Sequence, residues 1–202
     1  MNLMFLIRTR PLRAIPLFAF ALWATAAIST QQTQVTLDPA QARIEWTLNA
    51  TAHTVHGTFQ LKSGTILFDP ASGIANGEIV VDTASGDSGN HSRDNKMHKD
   101  VLESQRYPEI TFLPRKVLGN LAERGNSNLQ VQGVFRIHGA DHEITLPILV
   151  ERDGGLVRLT TSFAVPYRDW GIKDPSNMFL HVENDVAVKV TTTGQLVSAA
   201  AH

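Results

Sequence analysis

An antiparallel all-β domain carrying one short helix is the fold class this sequence predicts. From about residue 36 onward the chain alternates apolar and polar residues with the two-residue period of half-buried strands, and clusters of Gly, Pro, Asn and Asp separate the runs. One stretch, His91 to Phe112, breaks that rhythm. In it Met97, Val101 and Leu102 recur at helical spacing, while Arg93, Asp94, Lys96, Lys99 and Asp100 form a charged face. A single helix laid beside a curled antiparallel sheet points to a closed barrel with a covered interior.

The first element in order is an export signal, assigned to residues 1–27. Arg8, Arg10 and Arg13 supply positive charge, Ile15 to Ile28 is uncharged and mostly apolar, and Ala24-Thr25-Ala26 offers the small-x-small pattern of a cleavage site. The apolar run of about fourteen residues is shorter than the roughly 20 that cross a bilayer as a helix. An uncleaved N-terminal anchor is the alternative. Thr9 separates Arg8 from Arg10, which argues against a twin-arginine signal, and the absence of cysteine excludes a lipobox. Periplasmic localisation is expected, with secretion as the alternative.

Strands follow. Arg43 to Leu48 alternates cleanly with Ile44, Trp46 and Leu48 on one face. His56 to Leu61 places Phe59 and Leu61 together, and Lys62-Ser63-Gly64 reads as a break before a short strand at Thr65 to Phe68. Asp69-Pro70-Ala71-Ser72-Gly73 is a turn signal. Ile74 to Asp82 leads to a polar loop, Ser85 to Asn90, and then to the helix, placed at about residues 93–104. Pro108 ends that helix and favours an extended Tyr107. Ile110 to Val117, Leu129 to His138, Glu143 to Glu151, Leu156 to Val165 and Asp185 to Thr193 complete the set. Hairpins are expected at Gly139-Ala140-Asp141 and Asp153-Gly154-Gly155. Residues 34–194 form the domain, and 195–202 are expected to be a disordered tail.

About nine or ten such strands in one domain make a sandwich or a barrel, and alternation alone does not separate the two. A barrel of about eight strands holds one small ligand in its interior. The formal net charge is −1, so no electrostatic footprint for nucleic acid is present. There is no cysteine, which removes thiol catalysis, thiolate zinc sites and iron–sulfur clusters.

Several ordered segments together carry a family resemblance. They are His56-Gly57-Thr58-Phe59, Ile66-Leu67-Phe68-Asp69, Arg93-Asp94 with Leu102-Glu103-Ser104, and Tyr107-Pro108-Glu109-Ile110-Thr111-Phe112. Gly133 to Gly139 with Ile144-Thr145-Leu146-Pro147, and Tyr167-Arg168-Asp169-Trp170-Gly171-Ile172, follow in order. The chain resembles the YceI-like family, exported bacterial proteins also called polyisoprenoid-binding, over roughly Thr36 to Thr193. The resemblance implies an extended lipocalin-like antiparallel barrel with an isoprenoid, quinone-type or fatty-acid-like chain in its interior, and a carrier rather than an enzyme. It departs from many relatives in its extra histidines and in the long loop Gly171 to Leu180. No cofactor beyond such a bound lipid is expected, and transient membrane-surface contact and a homodimer are the further partners considered.

Trp46, Phe59, Phe112, Phe135 and Phe163 lie on faces expected to point inward, with Val131, Leu146 and Val188 as smaller lining candidates. The alternative is ordinary core packing. Trp170 is read as a lid or rim residue, or else as the anchor of a turn. Arg93 and Asp94 are read as a headgroup site, or as a salt bridge and cap at the helix start.

A rival function rests on the histidines: His53 and His56, His91 and His98, and His138 and His142, the last pair flanking a hairpin. A histidine-dependent metal-binding or stress-response accessory protein is therefore the alternative, although no compact metal motif such as His-Glu-x-x-His is present. Ser104, His98 and Asp100 are close in sequence, but no Gly-x-Ser-x-Gly elbow accompanies them.

Overall fold

The computed structural model describes residues 32–51, 53–176 and 182–199. Nine strands occur in it: β1 (Gln32–Leu37), β2 (Arg43–Asn49), β3 (Thr54–Phe68), β4 (Ala75–Asp87), β5 (Glu109–Leu118), β6 (Gly125–Ile137), β7 (Ala140–Asp153), β8 (Leu156–Pro166) and β9 (Asp185–Ala199). Successive strands from β2 to β9 pair antiparallel, and β9 returns to β2, so the sheet closes on itself. β1 and β2 share one position in the ring. β2 lies between the first half of β3 and the first half of β9, and β1 lies between their second halves. The result is an eight-position, all-antiparallel barrel, which closes every sheet edge.

Two turns show the local chemistry. Ile137 pairs with Ala140, leaving His138-Gly139 as a two-residue loop with φ of 52° and 77°. Positive φ at both positions is what a type I′ hairpin requires. Asp153 pairs with Leu156 across Gly154-Gly155, with Gly154 at φ 61°.

Several sequence expectations need correction. Lys62-Ser63-Gly64 does not break a strand. β3 runs through it for 15 residues and takes up curvature as register shifts at Thr58/Gln60 and Leu61/Ser63. Gly64 serves packing: a Cβ there would lie 2.6 Å from Leu37 Cδ1. β4 extends to Asp87, through half of the expected loop. Residues 195–199 are not a disordered tail, because they form the end of β9 and pair with β1. Residues 200–202 and the expected signal, 1–27, lie outside the described residues.

The helix also begins earlier than expected. It comprises α1 (His91–Lys96) and a π turn over Met97–Val101. Asn90 is the cap, its side chain accepting from Arg93 N at 3.1 Å. Asp94 is turned to Ser88, whose backbone N–H donates to it at 3.0 Å. Arg93 donates to Ser88 Oγ at 2.7 Å and Ser88 O at 2.8 Å. Arg93 and Asp94 therefore grip the same preceding serine rather than capping the helix. No helix among the described residues is long and apolar enough to cross a membrane.

Candidate functional site

The strands are filled unevenly along their length. At the end where β1 begins and β9 finishes, Val35, Phe68, Ala75, Val117, Leu129, Val150, Val157 and Leu196 are all buried and belong to one packed cluster. They include one inward residue from each of β1 and β3 to β9, and together they form a plug. Above the plug, buried inward residues such as Trp46, Phe112, Val131 and Leu146 alternate with others that are only partly buried. Phe59, Ile79, Val81, Phe135, Ile148, Leu159, Phe163, Val188 and Val190 are of this kind. They face a cavity of about 630 Å³. That volume lies within the range of small-molecule pockets.

The cavity opens at the opposite end. Its lining includes the exposed residues His53, Asn90, Ser92 and Lys96, all placed where β2, β4 and the helix meet the loops. Met97, Val101 and Leu102 line it from the helix side, so the apolar face expected from their spacing is turned inward. The interior is thus a blind tube with an apolar wall, a packed floor and a polar mouth.

Trp46, Phe59, Phe112, Val131, Phe135, Leu146, Phe163 and Val188 all line this cavity. Trp170 is not among the lining residues. Its indole stacks on His142 with ring centroids 4.1 Å apart and planes 8° apart, and its other neighbour is Phe135 at 5.7 Å. It anchors the turn after β8. Burial pushes the His142 imidazole below its ordinary range, against the weaker pull of Asp141.

Three glycines keep the tube open, of which Gly57 and Gly133 entered the sequence analysis only as parts of the family segments and Gly86 did not enter it. A Cβ on Gly57 would lie 2.3 Å from Trp46 Cζ2, on Gly86 2.7 Å from Phe59 Cε1, and on Gly133 2.7 Å from Phe112 Cζ. Each aromatic ring lies against the wall over a residue that has no side chain. Real Cβ contacts are not that short, so a larger residue would clash with the ring, and at Gly57 and Gly133 also with a backbone carbonyl 2.5 Å away, Asp87 O and Leu113 O. The legible signal was a strand glycine beside an aromatic position, since Trp46 and Gly57 are register partners.

The histidines go separate ways. His138 lies on the Tyr107 ring at 4.5 Å and has Glu103 Oε1 at 3.3 Å. His142 is on Trp170, and His56 Nδ1 is 3.0 Å from Thr47 Oγ1. His98 bridges Ser104 Oγ at 3.0 Å and Gly86 O at 2.9 Å, fastening the π turn to the end of β4. Ser104 is buried and is not among the cavity-lining residues, so this serine–histidine contact is a structural clamp. Among the described residues no three His, Asp or Glu side chains converge as a metal site.

Burial works to raise the Asp94 carboxyl, but the Ser88 hydrogen bonds, with Arg93 and His98 nearby, outweigh it and hold the group below the ordinary range. On the outer wall Arg136 grips Asp141 through Nε at 2.6 Å and Nη2 at 3.0 Å.

Comparison with known proteins gives one consistent result. A family model described as "YceI-like domain" matches residues 35–194. A UPF0312 protein of Vibrio parahaemolyticus is 34% identical over 102 residues, 49% of either chain. One from Vibrio cholerae is 30% identical over 117 residues, 56% of this chain and 58% of the relative. The chain therefore spans about half the length of the curated relatives it matches.

Among solved structures, BcnA of Burkholderia cenocepacia superposes with a TM-score of 0.63 at 20% identity, over 78% of this chain and 98% of that one. A polyisoprenoid binding domain from Saccharophagus degradans, implicated in plant cell wall breakdown, gives 0.61 at 14% identity, over 80% and 97%. At these identities the likeness is one of fold.

Proposed function

The chain belongs to the YceI-like family, and from that premise we propose that it is an exported carrier that binds a long-chain isoprenoid, quinone-type or fatty-acid-like amphiphile inside the barrel. The observation that carries the reading is the blind apolar tube of about 630 Å³. An interior lined mainly by apolar side chains, with the Trp46, Phe59 and Phe112 rings lying over glycines, offers a hydrocarbon tail contact along its length. The polyisoprenoid binding domain of Saccharophagus degradans, a structural neighbour of the same fold, supports the ligand class.

The energetics set a lower limit on tail length. Burial contributes roughly 0.8 kcal/mol per methylene, so ten carbons give about 8 kcal/mol. Lost translation and rotation cost at least about 4 kcal/mol of this. Micromolar binding, about −8 kcal/mol, then needs a tail of roughly fifteen carbons. The ligand enters tail first, because the floor is packed and the mouth is polar. Its polar end stays near α1 and His53.

Organic extraction followed by mass spectrometry of the purified protein is expected to release an amphiphile. Protein stripped of lipid is expected to take up a long-chain quinone or fatty acid at one per chain. Failure of the stripped protein to bind either kind refutes the carrier reading.

A further inference from the structure

Among the described residues, the mouth of the tube has one sign of charge. Of the described residues that line the cavity, the charged ones are Arg93 and Lys96, and no aspartate or glutamate is among them. His53 faces them as part of the same lining, and Asn90 and Ser92 add uncharged hydrogen-bonding groups. The whole chain, by contrast, has a formal net charge of −1, so this local excess is not a reflection of composition.

Three carboxylates close in sequence to the mouth residues are engaged elsewhere. Asp94 accepts from Ser88, Asp174 pairs with Arg168 at 3.1 Å, and Glu183 accepts from Asn49 at 3.0 Å. Arg93 is bound through Nε and Nη2 to Ser88. Lys96 differs from it. Its ammonium reaches only the neutral carbonyl of Pro175, at 3.4 Å, and among the described residues it forms no ion pair.

Resting on the carrier reading above, we propose that the tube selects amphiphiles with an anionic head, a carboxylate or a phosphate monoester, and that Lys96 is the residue that recognises the charge. The floor forces tail-first entry, which brings the head to the mouth. An ammonium at the rim forms a charge-assisted hydrogen bond with an anionic oxygen and only a weaker one with a hydroxyl. Arg93 sets the positive potential of the same rim while holding the helix start in place.

The test compares matched pairs at pH 8 with lipid-stripped protein: oleate against oleyl alcohol, and farnesyl monophosphate against farnesol. The unmodified protein is expected to favour the anion in at least one pair by about tenfold, and the pair that shows it identifies carboxylate or phosphate as the head. Lys96→Gln is expected to remove most of that preference, and Lys96→Glu to reverse it, with the alcohol's affinity falling less than the anion's. Raising ionic strength is expected to shrink the preference, because the site is at the rim.

Equal binding of anion and alcohol in both pairs overturns the assignment. So does a preference that survives Lys96→Glu. In either case binding of the alcohols leaves the carrier reading standing. If no member of either pair binds, and stripped protein takes up no quinone, both readings fall.

Discussion

Val157 and Val188 offer the same chemical deletion in two surroundings, and truncating each to alanine tests whether the tube is hollow. Val157 on β8 is 1% exposed and belongs to the floor. Val188 on β9 is only partly buried and faces the cavity. Val→Ala removes the equivalent of two methylenes, about 1.6 kcal/mol of transfer free energy for a fully buried side chain. At Val157 the neighbours are packed on all sides, so a void adds about 1 kcal/mol. The expected destabilisation is about 2.5 kcal/mol.

At Val188 the side chain already borders empty space. No new void forms there, and the transfer loss is partial, so the expected cost is below about 1 kcal/mol. The converse substitutions sharpen the contrast. Val188→Phe adds volume where there is room and is expected to cost less than about 1 kcal/mol, whereas Val157→Phe overpacks the floor by 3 kcal/mol or so. Urea denaturation of lipid-stripped protein, with the slope checked for constancy, measures all four. Equal costs for the two alanine variants, or a larger cost at Val188, would refute the division into packed floor and open tube.

Other consequences are independent of that one. Gly57→Ala places a methyl against both the Trp46 ring and the Asp87 carbonyl and is expected to cost about 1–3 kcal/mol and to alter the near-ultraviolet dichroism; Trp46→Leu in the same chain is expected to restore only the part of the loss that comes from the ring, and fully additive costs would count against the ring–glycine contact. Ser104→Ala removes the partner of His98 Nδ1 and is expected to cost about 1–2 kcal/mol, with faster amide exchange concentrated in residues 91–104; uniform exchange would refute the clamp. His142 has its pKa lowered by burial on Trp170, so the unfolded chain binds its proton more readily than the native one. Its contribution is therefore complete above the unfolded value of about 6.5 and is lost as pH falls toward the lower native value. Stability is expected to decline on acidification below about pH 6.5 less steeply in His142→Phe than in the parent; identical pH profiles would show that the stack does not hold the neutral imidazole.

Much of the barrel was legible because burial imposes a period of two. Ile44, Trp46 and Leu48 announced both a strand and its inward face, and they line the cavity as that face requires. What misled was glycine. Gly64 looks like punctuation in a sequence, yet it lies within β3 and leaves room for Leu37. Local chemistry cannot distinguish a glycine that turns the chain from one that yields space to a residue about 27 positions away. β1 escaped notice for a related reason. Its inward residues are Thr33, Val35 and Leu37 among polar neighbours, too short a pattern to stand out, and its partners are distant halves of β3 and β9.

The tube itself was beyond the reach of periodicity. Val157 and Phe163 occupy the same face of the same strand, in the same alternation, six residues apart. One is in the floor and the other lines a void. What separates them is the filling of each layer by the other strands. Around Val157 every strand except β2 contributes a buried apolar side chain. Higher up, three positions that would carry side chains are glycine, and the rings beside them lie back over the gaps. A closed ring of strands has a fixed interior at each level, so removing three side chains from the upper layers creates space that repacking does not recover. The hollow is therefore set by where glycine falls around the ring, and a reader with the register in hand can locate it before any ligand is known.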